Sequence, residues 1–223
     1  MKIAGLDEAG KGPVIGPMCI GGVMIDDVKE STLKNLGVAD SKKLSPKKRV
    51  HLAGQIEKYS ENVFVLEISA QQIDELRTLM SMNDIMVLAF SKVLEQLHPE
   101  TAYADAADVK EERFGFRLLE EYRKNNPEKA DNITIVSKHK ADASYPIVSA
   151  ASIVAKVRRD QLIEDLKAEN DVDFGSGYPS DPKTKKFLAD WYEEHGELPD
   201  YVRHSWKTAE NVVKNAEAEN DQE

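Results

Sequence analysis

Hydrophobic and polar positions change period along the chain, and the changes mark its elements. Residues 2–6 form a short apolar run ending at Asp7. Residues 18–25 are apolar nearly throughout, which predicts a central strand. Between them, Gly10-Lys11-Gly12-Pro13 and Gly16-Pro17 are turn signals. Ser45-Pro46 supplies an N-cap with proline at the first helical position, opening a helix to about residue 59. Residues 62–68 alternate and predict a third strand. Helices follow near 70–79 and 83–97, with Pro99 just past the second. Residues 101–104 predict a fourth strand, 111–124 an amphipathic helix and 133–137 a fifth strand. A long helix is expected over 145–169, another over 182–195 and a last over about 205–216.

Three strands come first, with a tight turn among them; two more follow, each preceded by a helix. That order predicts an α/β fold, a mixed five-stranded sheet flanked by helices, with a helical C-terminal extension. A catalytic domain is expected over 1–170 and the extension over 171–223, its acidic tail fraying from about 217. Function collects at the carboxyl ends of parallel strands. Asp7 and Asp105 each lie one residue past an apolar strand, so the two carboxylates meet if strands one and four are neighbours.

Composition narrows the class. With 223 residues, 41 % hydrophobic and 31 % charged, the chain can bury a core without a disulfide or metal staple. Its one cysteine, Cys19, excludes an internal disulfide framework and a cysteine-rich zinc site. No apolar run reaches the ~20 residues of a membrane span, and an aspartate at position 7 comes too early for a signal peptide. A cytoplasmic protein with no membrane partner, acting as a monomer, is expected. The net charge of −10 argues against a nucleic-acid partner, since phosphate binding leaves a basic footprint. The charge is uneven, however. Residues 209–223 hold five acids against Lys214 alone, while Lys42, Lys43, Lys47, Lys48 and Arg49 cluster, as do Lys138, His139 and Lys140, and Lys183, Lys185 and Lys186. Such stripes, Lys42 and Lys43 first among them, can hold a phosphate backbone.

The chemistry centres on acids. Asp7 and Glu8 adjoin a loop with two glycines. Side chains alternate along a strand, so both address one site only if the chain bends there, as Gly10 and Gly12 permit. The plainer possibility is a solvated acidic turn. Asp105 and Asp108 form a second cluster, in which Asp108 is the better helix cap; Asp142 precedes the long helix and can also cap. Carboxylates without histidine or thiolate partners suit Mg²⁺ or Mn²⁺. At about 4 Å and an effective dielectric of ~20, each like-charge pair repels by roughly 4 kcal/mol. Two divalent ions would balance four carboxylates, the charge logic of a two-metal phosphodiesterase. The Gly10-Lys11-Gly12 backbone can approach a phosphate or ribose closely, or be an ordinary turn. Tyr178, between glycines and a proline, can stack on a base or sugar or anchor its loop. Ala150 and Ala151 are small enough to pack a helix tightly on a sheet.

Taken together, Asp7-Glu8-Ala9-Gly10-Lys11-Gly12-Pro13 with Gly16-Pro17, Asp40-Ser41-Lys42-Lys43-Leu44, Tyr103-Ala104-Asp105, Ala141-Asp142 leading into Ser149-Ala150-Ala151-Ser152, and Gly177-Tyr178-Pro179-Ser180-Asp181 resemble ribonuclease HII, the type 2 ribonuclease H. Arg203-His204-Ser205-Trp206-Lys207-Thr208 suggests the archaeal branch. The resemblance covers residues 2–208. It implies an RNase H-like fold, endonucleolytic cleavage of RNA in RNA–DNA hybrids, and incision beside ribonucleotides embedded in duplex DNA, leaving a 3′-hydroxyl and a 5′-phosphate. It implies metal binding by Asp7, Glu8, Asp105 and Asp142, contact of Gly10, Lys11 and Gly12 with the ribose 2′-hydroxyl, and stacking of Tyr178 on the next sugar. The loop departs from the commoner Gly-Arg-Gly; Lys11 keeps the charge but loses the planar fork. Three rivals share part of this pattern. Ribonuclease HIII carries an extra N-terminal domain, against which the early first strand speaks. A DNA-junction nuclease of the same fold would cut all-DNA substrates. A non-enzymatic phosphate-binding module would use the glycine loop without needing four acids. No Gln-x-x-aliphatic-x-x-aromatic-aromatic sequence occurs in residues 209–223, so no sliding-clamp partner is expected.

Overall fold

The computed structural model describes residues 1–38, 44–129 and 132–220. The chain forms two compact units. The first comprises Met1–Ala9, Cys19–Glu67 and Ser81–Arg159; the second comprises Gly10–Met18, Ile68–Met80 and Asp160–Glu223.

The first unit is built on a five-stranded sheet in the order β3-β2-β1-β4-β5. The strands are β1 (Lys2–Ala9), β2 (Met18–Asp26), β3 (Asn62–Ile68), β4 (Thr101–Asp105) and β5 (Thr134–Lys138). β1 pairs antiparallel with β2 and parallel with β4, which in turn runs parallel to β5. The mixed sheet expected from the element order is therefore present. β1 and β2 are buried along almost their whole length, as strands covered on both faces must be.

The helices, as described, are α1 (Glu30–Leu36), α2 (Pro46–Tyr59), α3 (Ala70–Leu79), α4 (Met82–Leu97), α5 (Glu111–Asn125), α6 (Ala141–Ser144), α7 (Pro146–Asn170), α8 (Pro182–His195) and α9 (Lys207–Asn220). Ser45, Ser69, Ser81 and Asp181 cap α2, α3, α4 and α8, each accepting a backbone N–H in the first turn.

Glycines on two strands let α7 lie directly on the sheet. A Cβ at Gly5 would fall 2.1 Å from the Ile147 carbonyl oxygen, and one at Gly21 would fall 2.4 Å from that of Ala151. Ala150 and Ala151 are fully buried there, the tight small-residue packing their side chains predict. Around this contact, Ile3, Val23, Ile25, Leu52, Ile56, Ile147 and Ile153 form the core of the first unit. The second unit has its own core of Val14, Ile15, Ile163, Phe174, Leu188, Leu198, Val202 and Ala209.

Four local differences from expectation have physical causes. β1 runs past Leu6 to Ala9 because its pairing with β2 continues through Asp7↔Gly21, Glu8↔Ile20 and Ala9↔Cys19. The expected long helix is whole as α7, but a short α6 precedes it, set apart by Tyr145, which is extended ahead of Pro146 as pre-proline residues prefer to be. A 3₁₀ turn (Asp27–Lys29) and α1, ending at the left-handed Gly37, add to the expected elements; their short span carries little periodicity. The apolar pattern predicts that the last helix ends near residue 216, with the tail unwound from about 217, but its backbone stays helical to Asn220.

Candidate active site

In the first unit the β1–β4 register pairs Leu6 with Ala104, so Asp7 and Asp105 follow at equivalent places on neighbouring parallel strands. No bend separates Asp7 from Glu8. Both stay in the strand, and the chain turns only at Gly10, whose φ of 87° is open to glycine. Asp7 is buried and Glu8 partly so. Asp7 accepts the Glu8 amide at 2.8 Å and a bond from the Ser152 side chain. Ser152 is carried there by α7, seated on Gly21 opposite Asp7.

Burial pushes the Asp7 carboxyl well above the usual carboxylate range; the charges of Glu8 and Asp105 push the same way, against the bonds from Ser152 and the Glu8 amide. Asp105 accepts the Ala141 amide at 3.3 Å, tying the end of β4 to the start of α6. Asp142 is the next residue, in the first turn of that helix. Three predicted acids thus interact electrostatically, and the fourth is attached through Ala141.

Asp108 is different. It is buried and takes a two-pronged bond from Arg113 of α5, one arm at 2.7 Å. That guanidinium, with the Lys110 amide, holds the Asp108 carboxyl down at about 2. Its role is structural, but through an ion pair rather than the helix cap expected of it: the α5 cap position is Lys110.

The donor set consists of carboxylate oxygens alone, which suits a hard divalent cation. The elevated Asp7 marks negative charge that a cation would balance. Among the described residues no three histidine, cysteine, aspartate or glutamate side chains are arranged to hold an ion as they stand. The acids therefore fit such an ion in chemistry and charge.

The second unit contains the glycine loop and Tyr178. The Val14 and Ile15 amides donate to the Gly177 carbonyl at 2.8 and 3.3 Å, joining the two loops. Gly177 donates to Thr184 Oγ1 at 3.0 Å, and Thr184 donates to the Phe174 carbonyl at 2.8 Å. Asp181 accepts from the Ser176 amide and hydroxyl, both at 2.7 Å. On this fixed loop Tyr178 remains 42 % exposed. A Cβ at Gly12 would lie 3.7 Å from Tyr178 Cε1, so these two predicted residues are neighbours. Lys42 and Lys43 lie outside the described residues.

Sequence reasoning missed Ser152, Arg203 and Trp206 as site-forming residues. Arg203 is completely buried and donates to the carbonyls of Gly10, Lys11 and Gly16. Its motif is visible in the sequence, but as a mark of the archaeal branch.

Residues 4–209 match the family described as ribonuclease HII. The chain is 66 % identical over 214 residues to the ribonuclease HII of Methanococcoides burtonii, covering 96 % of this chain and all of that one. It resembles the crystal structure of ribonuclease H2 from Pyrococcus horikoshii OT3, with a TM-score of 0.88 at 41 % identity over 96 % of this chain and 98 % of that one. It also resembles the ribonuclease HII of Archaeoglobus fulgidus, solved as a PCNA complex, with a TM-score of 0.83 at 43 % identity over 93 % and 96 % of the two chains. A Bst ribonuclease HIII solved with Mn²⁺ gives a TM-score of 0.80 at 21 % identity over 98 % of this chain and 71 % of that one, a likeness of fold alone. The acids at the ends of parallel strands, the mixed sheet and two-thirds sequence identity along the whole domain all agree, and this chain belongs to the ribonuclease HII family of ribonuclease H endonucleases.

Proposed function

We propose that this enzyme cleaves the RNA strand of RNA–DNA hybrids and incises 5′ to ribonucleotides embedded in duplex DNA, with Asp7, Glu8, Asp105 and Asp142 holding divalent ions, Mg²⁺ or Mn²⁺. The observation that carries this reading is the buried Asp7 carboxyl, raised by its own desolvation and by Glu8 and Asp105. Such charge crowding costs stability unless a cation completes it. When bound, two ions supply activation of the attacking water and stabilisation of the leaving 3′-oxygen.

The protein's own groups do the rest. Asp7, bonded by Ser152 and the Glu8 amide, presents one carboxylate. Asp105, bonded to the Ala141 amide, keeps α6 and hence Asp142 beside the end of β4. Gly10, Lys11 and Gly12 offer backbone N–H groups to the ribose 2′-hydroxyl, the group that distinguishes RNA from DNA. Tyr178 stacks on the sugar beyond the ribonucleotide, and Lys42, Lys43 and Lys11 contact phosphates. A site built around the 2′-hydroxyl rejects the deoxy analogue because its polar groups are left unpaired.

A cytoplasmic, monomeric enzyme is the form proposed. Residues 209–223 lack the clamp-binding pattern, and no clamp partner is proposed, although the Archaeoglobus relative was solved with PCNA. The test is incision of a duplex containing one ribonucleotide beside its all-DNA twin, in Mg²⁺ and in excess chelator. Cleavage of the first alone, lost in chelator, is expected; cutting of both duplexes, or full activity in chelator, would remove the reading.

Among the described residues no helix is long and apolar enough to cross a membrane.

A further inference from the structure

Arg203 is the largest fully buried side chain of the described residues. A guanidinium out of water must have its donors satisfied, or the burial is prohibitive. Its Nε donates to the Gly16 carbonyl at 3.0 Å, Nη1 to that of Lys11 at 3.0 Å and Nη2 to that of Gly10 at 2.6 Å. Its own amide donates to Val14 at 2.8 Å. Trp206, three residues on, donates its indole N–H to the Gly12 carbonyl at 3.1 Å. The indole ring carries the Arg203 guanidinium at 4.7 Å and that of Arg77 at 5.0 Å. The segment is secured from α3: Asp74 accepts the His204 amide at 2.7 Å and the Ser205 amide at 3.0 Å.

Four loop carbonyls are thus turned toward the buried Arg203 and the half-buried Trp206. No peptide bond among the described residues is cis. In a trans peptide a carbonyl and the following N–H point in opposite directions. The Gly10 carbonyl bonded to Arg203 therefore sends the Lys11 N–H away from it, and the Lys11 carbonyl likewise sends the Gly12 N–H away. The other two captured carbonyls, of Gly12 and Gly16, precede Pro13 and Pro17, which have no N–H to direct. The arrangement therefore orients two consecutive donors and no others through the captured carbonyls. Gly12 is exposed, so the second of these donors belongs to a residue open to solvent. The buried positive charge behind the carbonyls further polarises both peptide groups.

We propose that Arg203 and Trp206 are positioning residues for ribose recognition: together they hold the 10–11 and 11–12 peptide planes so that the Lys11 and Gly12 N–H groups face a ligand hydroxyl. This rests on the reading that the glycine loop meets the 2′-hydroxyl. Lysine cannot replace Arg203, because its donors radiate from one nitrogen and cannot span acceptors spread along a planar fork.

The experiment measures Kd for two matched duplexes, one with a single ribonucleotide and one all-deoxy, with Ca²⁺ replacing the catalytic ion, alongside a melting curve for each variant. Arg203→Lys should lower the preference for the ribonucleotide duplex about tenfold, the scale of a mis-set hydrogen bond, and leave all-deoxy binding unchanged. An unchanged preference, or equal weakening on both duplexes, overturns the proposal. Should the lysine variant fail to fold, Trp206→Phe, which keeps an aromatic face and removes the indole N–H, is judged by the same two outcomes. Gly12→Ala separates this inference from the reading beneath it. The added methyl meets only Tyr178, at 3.7 Å, so the chain accepts it, whereas a closely approaching ribose would not. If Gly12→Ala leaves the preference intact, the ribose-loop reading itself fails. If Gly12→Ala abolishes the preference and Arg203→Lys does not, only the positioning role fails.

Discussion

The two units treat buried charge in opposite ways. In the first, Asp7 is buried beside Glu8 and Asp105, like charges whose repulsion is only partly offset by Ser152 and one amide. In the second, Arg203 is buried among carbonyl oxygens that satisfy it, with Trp206 against its face. One arrangement crowds like charges; the other satisfies a charge and fixes a loop. A charge left uncompensated in a fold lowers stability and raises affinity for whatever neutralises it, whereas a compensated charge makes its surroundings rigid.

The largest expected effect comes from the acids. Asp105→Asn should reduce cleavage by at least about 100-fold, the scale of losing one preorganised electrostatic group, and should raise the melting temperature in metal-free buffer as repulsion is relieved. Asp108→Asn breaks the ion pair with Arg113 instead; it should melt earlier and keep turnover once folded. Steady-state rates and melting curves on the two variants check the contrast, and the reverse ranking would show that the wrong acid was assigned to catalysis.

Next is the pH response of the same cluster. The folded pKa of Asp7 lies above its unfolded value of about 3.9, so the folded state binds the extra proton. Its contribution to stability is therefore fully present below about pH 4 and is lost as pH rises through the raised folded value. Asp7→Asn should flatten that fall in metal-free buffer. Asp108, held at about 2, has the opposite sign: its contribution is present above about pH 4 and lost as pH falls toward 2. Melting temperature against pH for the two asparagine variants tests both signs. A parent curve unchanged by Asp7→Asn would contradict the raised carboxyl.

In the second unit, Tyr178→Ala should cost one to two decades, in line with about 1–3 kcal/mol for a stacking contact, while Tyr178→Phe keeps most activity. The loss should be greater on a single-ribonucleotide duplex, where the following sugar is always deoxyribose, than within a long RNA run. Equal losses on both substrates, with a lowered melting temperature, would reduce Tyr178 to a loop anchor. The smallest effect belongs to Lys11→Ala, which should weaken both substrates alike and lower the salt slope by about one, as loss of a single phosphate contact does. A salt titration of binding reads this directly.

The sequence alone determined what local chemistry and periodicity encode. The strand runs, the Ser45-Pro46 helix start and the turn glycines read correctly because each depends on a few neighbouring residues. The motifs were specific enough to imply the family, and the acids stood out as carboxylates at strand ends. Only the tertiary structure decided which acids share a field, because that depends on Leu6 pairing with Ala104 and on α7 seated on Gly5 and Gly21. It also showed Asp108 held in an ion pair, with Asp105 bonded instead to α6. Tyr145 and Pro146 set the short α6 apart from the long helix through a backbone preference that apolar periodicity does not register. Arg203 was legible as a residue but not as a part of the loop 187 positions away along the chain: three carbonyls carry no side-chain signal, and only the fold brings a distant guanidinium to them.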